Sequence, residues 1–526
     1  MSRRYLLWML PVSLSVGALL SFLQPGNWLV GWLSFSLLLL FSLWLFVVLH
    51  RWAGGGHALA WMVALAFALR LATGVGVYLA LPVDGHEDAD DRAGFIFTDA
   101  HRRDDQAWDL AQSNEPILSA FNKTYHTDQY GGLLAFTSLA YRALSPDAHR
   151  VILLILLSAV VAALGMPFFW RAARQMFGEP VALLAGWILV LYPENILLGS
   201  AVMREPYLIM FGTLALWGFV DWQYNHSRQP GLPPPGLIWL GLGLLGMLLV
   251  SPVVAMVTLV IFGGWFWMVG QHARFSWFSL FIAALVFLAG LVLLTLALNR
   301  QGNFDGGPLG VLSGWFGEVI RWDVYQLKRD SGWVQKLFEE MPYWLRLPFV
   351  TVYGIFQPIL PAAFVEPTTL TWRIIGIARA LGWYLFWPLL LYAFIAGWKN
   401  ENSREQRLWL WITVVSWMWI ILTALRGGGD QWDNPRYRAI LLVWQALAAG
   451  YALTCFRLRS DSWLVRIFLI EAIFLAFFTQ WYLSRYFDIG GQIPFGWMVS
   501  LIIVCSLIVL LGGELWDRYR RGKPAA

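Results

Sequence analysis

Charge is scarce in this chain. Of its 526 residues only 13% are Asp, Glu, Lys or Arg and 59% are hydrophobic, whereas a soluble domain carries about 25% charged residues. That shortage excludes an ordinary water-soluble globule. Cysteine is almost missing: Cys455 and Cys505 are the two present, each within or at the end of an apolar run. This rules out a disulfide framework and a thiolate zinc site. The eight histidines are scattered without metal-ligand spacing. No tandem repeat or low-complexity linker interrupts the sequence. The net charge of +5 does not call for nucleic acid, since a cytoplasmic-side excess of Lys and Arg explains it.

What is present is apolar and aromatic. Runs of about twenty residues, enough to cross a bilayer core of about 30 Å, recur along the whole length. Many of the 33 tryptophans stand at the ends of these runs, where amphipathic rings anchor at headgroup level. The reading is an all-α, polytopic membrane protein with about fourteen transmembrane helices. The expected spans are 5–23, 28–49, 58–81, 150–170, 179–197, 203–222, 236–251, 253–270, 276–298, 374–397, 408–425, 439–456, 466–484 and 495–513. Residues 5–23 are expected to be an uncleaved first helix, since no small-residue cleavage site follows them.

Charge placement sets the orientation. With both termini in the cytoplasm, Arg51, Arg171, Arg174, Arg274, Lys399, Arg404, Arg407, Arg457, Arg459 and the basic tail all fall inside. A multi-pass protein of a bacterial inner or plasma membrane is the expectation. The apolar segment 345–364, broken by Pro348, Pro358 and Pro361, is read as interfacial or re-entrant. The chain then divides into an N-terminal hairpin (1–57), a membrane core (58–298) containing an outward loop at 82–149, and a second outward loop (299–373). A further stretch of core (374–456) with an Arg-rich outer turn at 426–438 and a C-terminal hairpin with basic tail (457–526) complete it. In the second loop, apolar stripes over 315–341 predict amphipathic helices lying on the membrane.

The first outward loop holds the densest polar chemistry. An acidic run, Asp84, Glu87, Asp88, Asp90 and Asp91, leads into Phe97-Thr98-Asp99-Ala100-His101-Arg102-Arg103-Asp104-Asp105. A helix is expected to begin at Asp104, with two acids in its first turn ahead of Ala107, Trp108 and Ala111. Asp104 would then stand at the mouth of the membrane domain as a general base, unless it merely caps the helix. Asp128 and Tyr130 precede a predicted interfacial helix. Arg204 and Glu205 open another span and should face a polar cavity. Arg426, Arg436 and Arg438 lie on an outer turn, against the positive-inside bias, and suit a lipid phosphate. On a regular helix Arg436 and Arg438 point about 200° apart. Either the turn is irregular through Pro435, or one arginine binds phosphate while the other pairs an acid such as Asp433 or Asp105; Arg436, nearest the flexible Gly427-Gly428-Gly429 segment, is preferred as the phosphate ligand. The step Asp88-Ala89-Asp90 could hold a divalent cation, but a solvated acidic loop is preferred and no cofactor is expected.

At these residues the chain resembles the C-type (GT-C) glycosyltransferases that use polyprenyl-phosphate sugars, among them protein O-mannosyltransferases and lipid A aminoarabinose transferases. Asp104, Asp105, Trp108 and Ala111 match the family's pattern in the first outward loop, with Trp where Tyr is usual. Pro193, Arg204-Glu205 and Pro435-Arg436-Tyr437-Arg438 follow the family's order over roughly 58–456. The Pro-rich step usual before the interfacial helix is replaced by His126-Thr127-Asp128-Gln129-Tyr130.

The resemblance implies transfer of a sugar from a polyprenyl-phosphate-linked donor to an unknown acceptor at the outer face of the bilayer. Asp104 would be the base, and Arg204, Arg436 and Arg438 would stabilise the departing phosphate. Asp105, Asp128, Tyr130 and Glu205 would position sugar or acceptor. Two alternatives stand beside it: a lipid-linked-glycan flippase or transporter, and a glycan ligase or polymerase using lipid pyrophosphate donors.

Overall fold

A computed structural model describes residues 3–122, 125, 131–225, 235–269, 340–459 and 461–521. Among them every regular element is helical. Seven helices are long and apolar enough to cross a membrane, or up to nine if each of two bent pairs is one span. The chain is thus a multi-pass membrane protein. Of the expected spans, 276–298 lies outside the described residues, 179–197 and 439–456 are each broken between two helices, and the others each fall on one helix. The stripes at 315–339 also lie outside them.

The first long helices are α1 (Arg3–Phe22), α2 (Trp28–Ala53) and α3 (Gly56–Asp84). Two short helices, α4 (Ala89–Arg92) and α5 (Thr98–Gln112), and then α6 (Gly132–Leu144) form the cap expected as an outward loop. The centre of the bundle is α7 (Val151–Phe177), 83% buried over its most apolar window. Then come α8 (Glu179–Leu191), α9 (Pro193–Gly199), α10 (Glu205–Asn225), α11 (Pro235–Val250) and α12 (Pro252–Val269). Lipid tails are as apolar as leucine, so helix contact in a bilayer depends on close backbone approach at small residues. The α10–α11 seam shows this: a Cβ on Gly218 would lie 2.2 Å from the Leu240 nitrogen, and one on Gly236 2.4 Å from the Trp222 nitrogen.

The remaining helices are α13 (Tyr343–Phe356), α14 (Leu360–Val365), α15 (Leu370–Trp398), α16 (Ser403–Gly427), α17 (Asp433–Ala439), α18 (Leu442–Arg459), α19 (Ser462–Tyr486) and α20 (Phe495–Arg521). The proline-broken segment 345–364 is two short helices, α13 and α14, rather than one span. One of the two bends falls where the sequence demands it. Pro193 has no N–H to continue α8, and α9 departs at 57°. α17 meets α18 at 75°. Both bends lie at the end of the bundle that carries α5, and they leave short, non-spanning helix turns facing the cap.

The first hairpin is tied to the cap by a polar clasp. Asp147 accepts from both terminal nitrogens of Arg150, at 2.6 and 2.8 Å, and from the Asn27 amide at 2.9 Å. Arg150 also donates to the Asn27 carbonyl at 2.9 Å. The Arg150 hydrogen bonds hold the Asp147 carboxyl at about 2, below the ordinary unfolded value of about 3.9. Its stabilisation is therefore complete above about pH 4 and is lost as pH falls through the folded value. Asp147→Asn should cost about 1.5–3 kcal/mol and flatten the acid limb of thermal stability. An acid limb identical to wild type would show that the clasp contributes nothing.

Candidate active site

The site is assembled by α5. Its start is Thr98, not Asp104. Phe97 precedes it in extended conformation and offers no side-chain cap. Asp99 is therefore the first-turn acid, where the helix dipole favours a carboxylate. Asp104 instead lies on the buried face with Ala100, Arg103, Ala107, Leu110 and Ala111.

This reverses the exposure expected for Asp104. Its side chain has no exposed surface. Tyr141 donates to its Oδ1 at 2.5 Å and His149 Nε2 to its Oδ2 at 2.7 Å. Burial and the Asp104 charge push the Tyr141 hydroxyl well above its ordinary value, so it remains a donor. Burial opposes a charged His149, but the Asp104 hydrogen bond and charge outweigh it and raise its pKa. Trp108 stacks on the His149 ring at 5.1 Å and 10°. Asp105 is 57% exposed and lies 3.5 Å from His101 Nε2. Burial raises its pKa, opposed by His101 and reinforced by Asp104.

The other side of α5 meets the two late elements named by the sequence. Arg436, 5% exposed, is ringed by carboxylates: Asp99 Oδ2 lies 3.0 Å from Nη1, Asp433 Oδ1 3.2 Å from Nη2 and Glu205 Oε1 3.6 Å from Nε. Arg204 Nε is 3.7 Å from the same Glu205 oxygen. Glu205 opens α10, is fully buried, and neither of its oxygens accepts a hydrogen bond among the described residues. It is held there by charge alone. Burial works to raise the Asp99 carboxyl, but Arg436, Arg103 and Arg204 hold it below its ordinary value. Its side chain remains 51% exposed, so it is the most accessible acid of the cluster.

Arg438 goes elsewhere, as the 200° separation requires, but among the described residues it forms no salt bridge with an acid, against expectation. Its guanidinium lies 3.3 Å from the centre of the Trp383 ring and donates to the Ile355 and Gln357 carbonyls. It braces the α13–α14 break against α15 and stays apart from the carboxylate cluster. The arginine that pairs Asp433 is Arg436. Asp128 and Tyr130 lie outside the described residues.

The acidic run is structural rather than loosely solvated. Asp88 accepts from the Asp91 amide at 2.8 Å and caps α4. Asp90 accepts from Thr98 Oγ1 at 2.5 Å and His101 Nδ1 at 2.7 Å, holding the start of α5. Asp91 is buried and accepts from the His86 amide and Trp372 Nε1.

Sequence reasoning missed Asp99, Tyr141 and His149, and it missed what holds the late turn. Arg379 pairs with Glu194 through two contacts, 2.6 and 3.1 Å, both side chains being buried. Arg379 also lies 4.1 Å from the Trp432 ring centre, fixing the turn that carries Asp433. Breaking a buried pair leaves an uncompensated charge. Arg379→Ala should lower stability by about 3–5 kcal/mol, and the double change Glu194→Leu with Arg379→Met by much less. Equal losses in thermal unfolding would contradict this.

Among the described residues, Asp104, Asp105 and His149 are the one group able to hold a metal ion, with ligand atoms within 4.8 Å of one another.

No protein-family model matches the sequence, and no curated protein does. Solved structures with a similar course include the archaeal oligosaccharyltransferase AglB from Archaeoglobus fulgidus in complex with an inhibitory peptide and a dolichol-phosphate. It shares 12% identity at a TM-score of 0.41 over 88% of this chain and 55% of that one. The oligosaccharyltransferase of the same organism in its apo form gives 13% and 0.39, over 86% and 55%. Its form tethered to an acceptor peptide gives 14% and 0.38, over 86% and 54%. The chain spans about half the length of these structures. At such identity and TM-score the likeness carries no conclusion about function.

Proposed function

We propose that this chain is a membrane glycosyltransferase. It moves a sugar from a polyprenyl-phosphate donor to an acceptor hydroxyl at the outer face. The observation that carries this reading is the convergence of Asp99, Asp433 and Glu205 on Arg436, with Arg204 beside them, where the helices meet the cap.

Two guanidiniums supply the fork geometry that binds phosphate. The base is Asp99, in place of Asp104, whose two oxygens are already engaged. In the reaction the acceptor oxygen forms a bond to the anomeric carbon and its proton passes to Asp99. The bond from that carbon to the phosphate oxygen breaks, and its electron pair departs with the lipid phosphate. Arg436 and Arg204 stabilise that charge.

The ring of acids around Arg436 adds a coupling. A donor phosphate must compete with Asp99 for Nη1, and an Asp99 released from Arg436 loses part of what depresses its pKa. Donor binding thereby makes it a stronger base.

The transporter reading expects coupling charges near the midplane in broken helices. Here Arg379 is paired with Glu194, and Arg70 is bound to the Ala66 and Leu189 carbonyls, which supports the transferase reading instead. Purified protein should release free lipid phosphate from a labelled polyprenyl-phosphate sugar when given acceptor hydroxyls. Consumption of a lipid pyrophosphate donor alone would move the protein to the ligase class.

A further inference from the structure

We infer that Asp104, Asp105 and His149 form a divalent-metal site, distinct from the Arg436 cluster and on the other side of α5. The proposal goes beyond sugar transfer and does not depend on it. Three features make this more than an acidic patch.

The first is the donor set. Two carboxylates and an imidazole place one ligand atom each within 4.8 Å of the others. Such an oxygen–nitrogen set suits Mn2+ or Zn2+ rather than a soft, thiol-seeking ion.

The second is the support around it. Metal ligands are held in place by outer hydrogen bonds and packing. Tyr141 donates to Asp104 Oδ1, leaving Oδ2 to face His149 Nε2, and Trp108 stacks flat on the imidazole. The ring is thus oriented with its Nε2 toward Asp104, and Asp105 stands beside it.

The third is charge. Asp104, Asp105 and Asp109 lie within six residues of one helix, and the first two stand beside His149. The arginines nearby are committed elsewhere: Arg142 donates to the Leu110, Ala111, Ser113 and Glu115 carbonyls, and Arg150 is clasped by Asp147. A divalent cation replacing the Nε2 proton would offset this local negative excess. The exposed sides of Asp105 and His149, 57% and 28%, leave further coordination positions open to water or a ligand oxygen.

Asp99 and Asp104 are five residues apart, about 140° around the helix, so one helix separates the two sites. The test is a titration of chelator-stripped full-length protein with Mn2+, followed by loss of the free-ion electron paramagnetic resonance signal, with Zn2+ as competitor. Wild type should bind one Mn2+ per chain and gain thermal stability with Mn2+ concentration. His149→Ala and Asp105→Asn should each weaken binding at least tenfold. Asp105→Asn changes an exposed side chain, and its stability without metal should stay near wild type, whereas His149→Ala takes one of its two partners from buried Asp104 and should be less stable.

Asp99→Asn should bind Mn2+ as wild type does, which keeps this result separate from any result on transfer. The proposal is overturned if wild type takes up no saturable Mn2+ or Zn2+, or if His149→Ala and Asp105→Asn bind as tightly as wild type.

Discussion

Asp99→Asn should lower sugar transfer by about 10²–10⁴-fold, the usual worth of a positioned general base, while the protein folds normally. The side chain is half exposed and pairs with Arg436 at 3.0 Å, so an isosteric amide disturbs little packing. Asp104→Asn should behave differently. It keeps an acceptor for Tyr141 but turns an amide or a weaker acceptor toward His149, in a place with no exposed surface. The expected result is a lower unfolding temperature with donor binding intact and activity reduced less than in Asp99→Asn. Steady-state transfer and thermal unfolding on the same preparations separate the two. Full activity in Asp99→Asn, with an inactive but equally stable Asp104→Asn, would return the base to Asp104.

The second large effect concerns the arginines. Arg436→Lys retains one charge but cannot serve Asp99, Asp433 and Glu205 from three edges of a plane as the guanidinium does. Donor affinity should fall about 10–100-fold, the worth of about 1.5–3 kcal/mol of charge-assisted hydrogen bonding. Stability should fall as well, because Glu205 is buried and depends on Arg436 and Arg204 for compensation. Arg438→Lys should destabilise the protein through loss of the Trp383 contact and the two carbonyl bonds, with donor affinity unchanged. Direct binding of a labelled polyprenyl phosphate checks both. Impaired binding in Arg438→Lys alone would reverse the assignment.

Much of the fold is legible because a bilayer imposes it. Runs of about twenty apolar residues have few alternatives to helix, and Pro193 marks the α8–α9 bend openly. The divergence of Arg436 and Arg438 also followed from helix geometry alone. The cap was harder to read. α5 begins after Phe97, which supplies no capping side chain, so the familiar start signal is missing. Asp104 and Asp105, ahead of Ala107 and Trp108, imitate a first turn one and a half turns too late. The partners of Asp104 were out of reach for another reason: Tyr141 and His149 are 37 and 45 residues away, joined to it by packing of α6, and of the connection that follows it, against α5. Periodicity carries no trace of such a contact. Arg204, Glu205 and Arg436 were all named from sequence, and only the fold reveals that they share one cluster and that Asp99 completes it.

The most direct test is a structure of the protein with a non-transferable polyprenyl-phosphate sugar analogue bound. The donor phosphate should lie between Arg436 and Arg204, with the anomeric carbon turned toward Asp99 and the lipid running along the bundle. A phosphate bound away from both arginines, or an anomeric carbon facing Asp104 across a rearranged α5, would contradict the account.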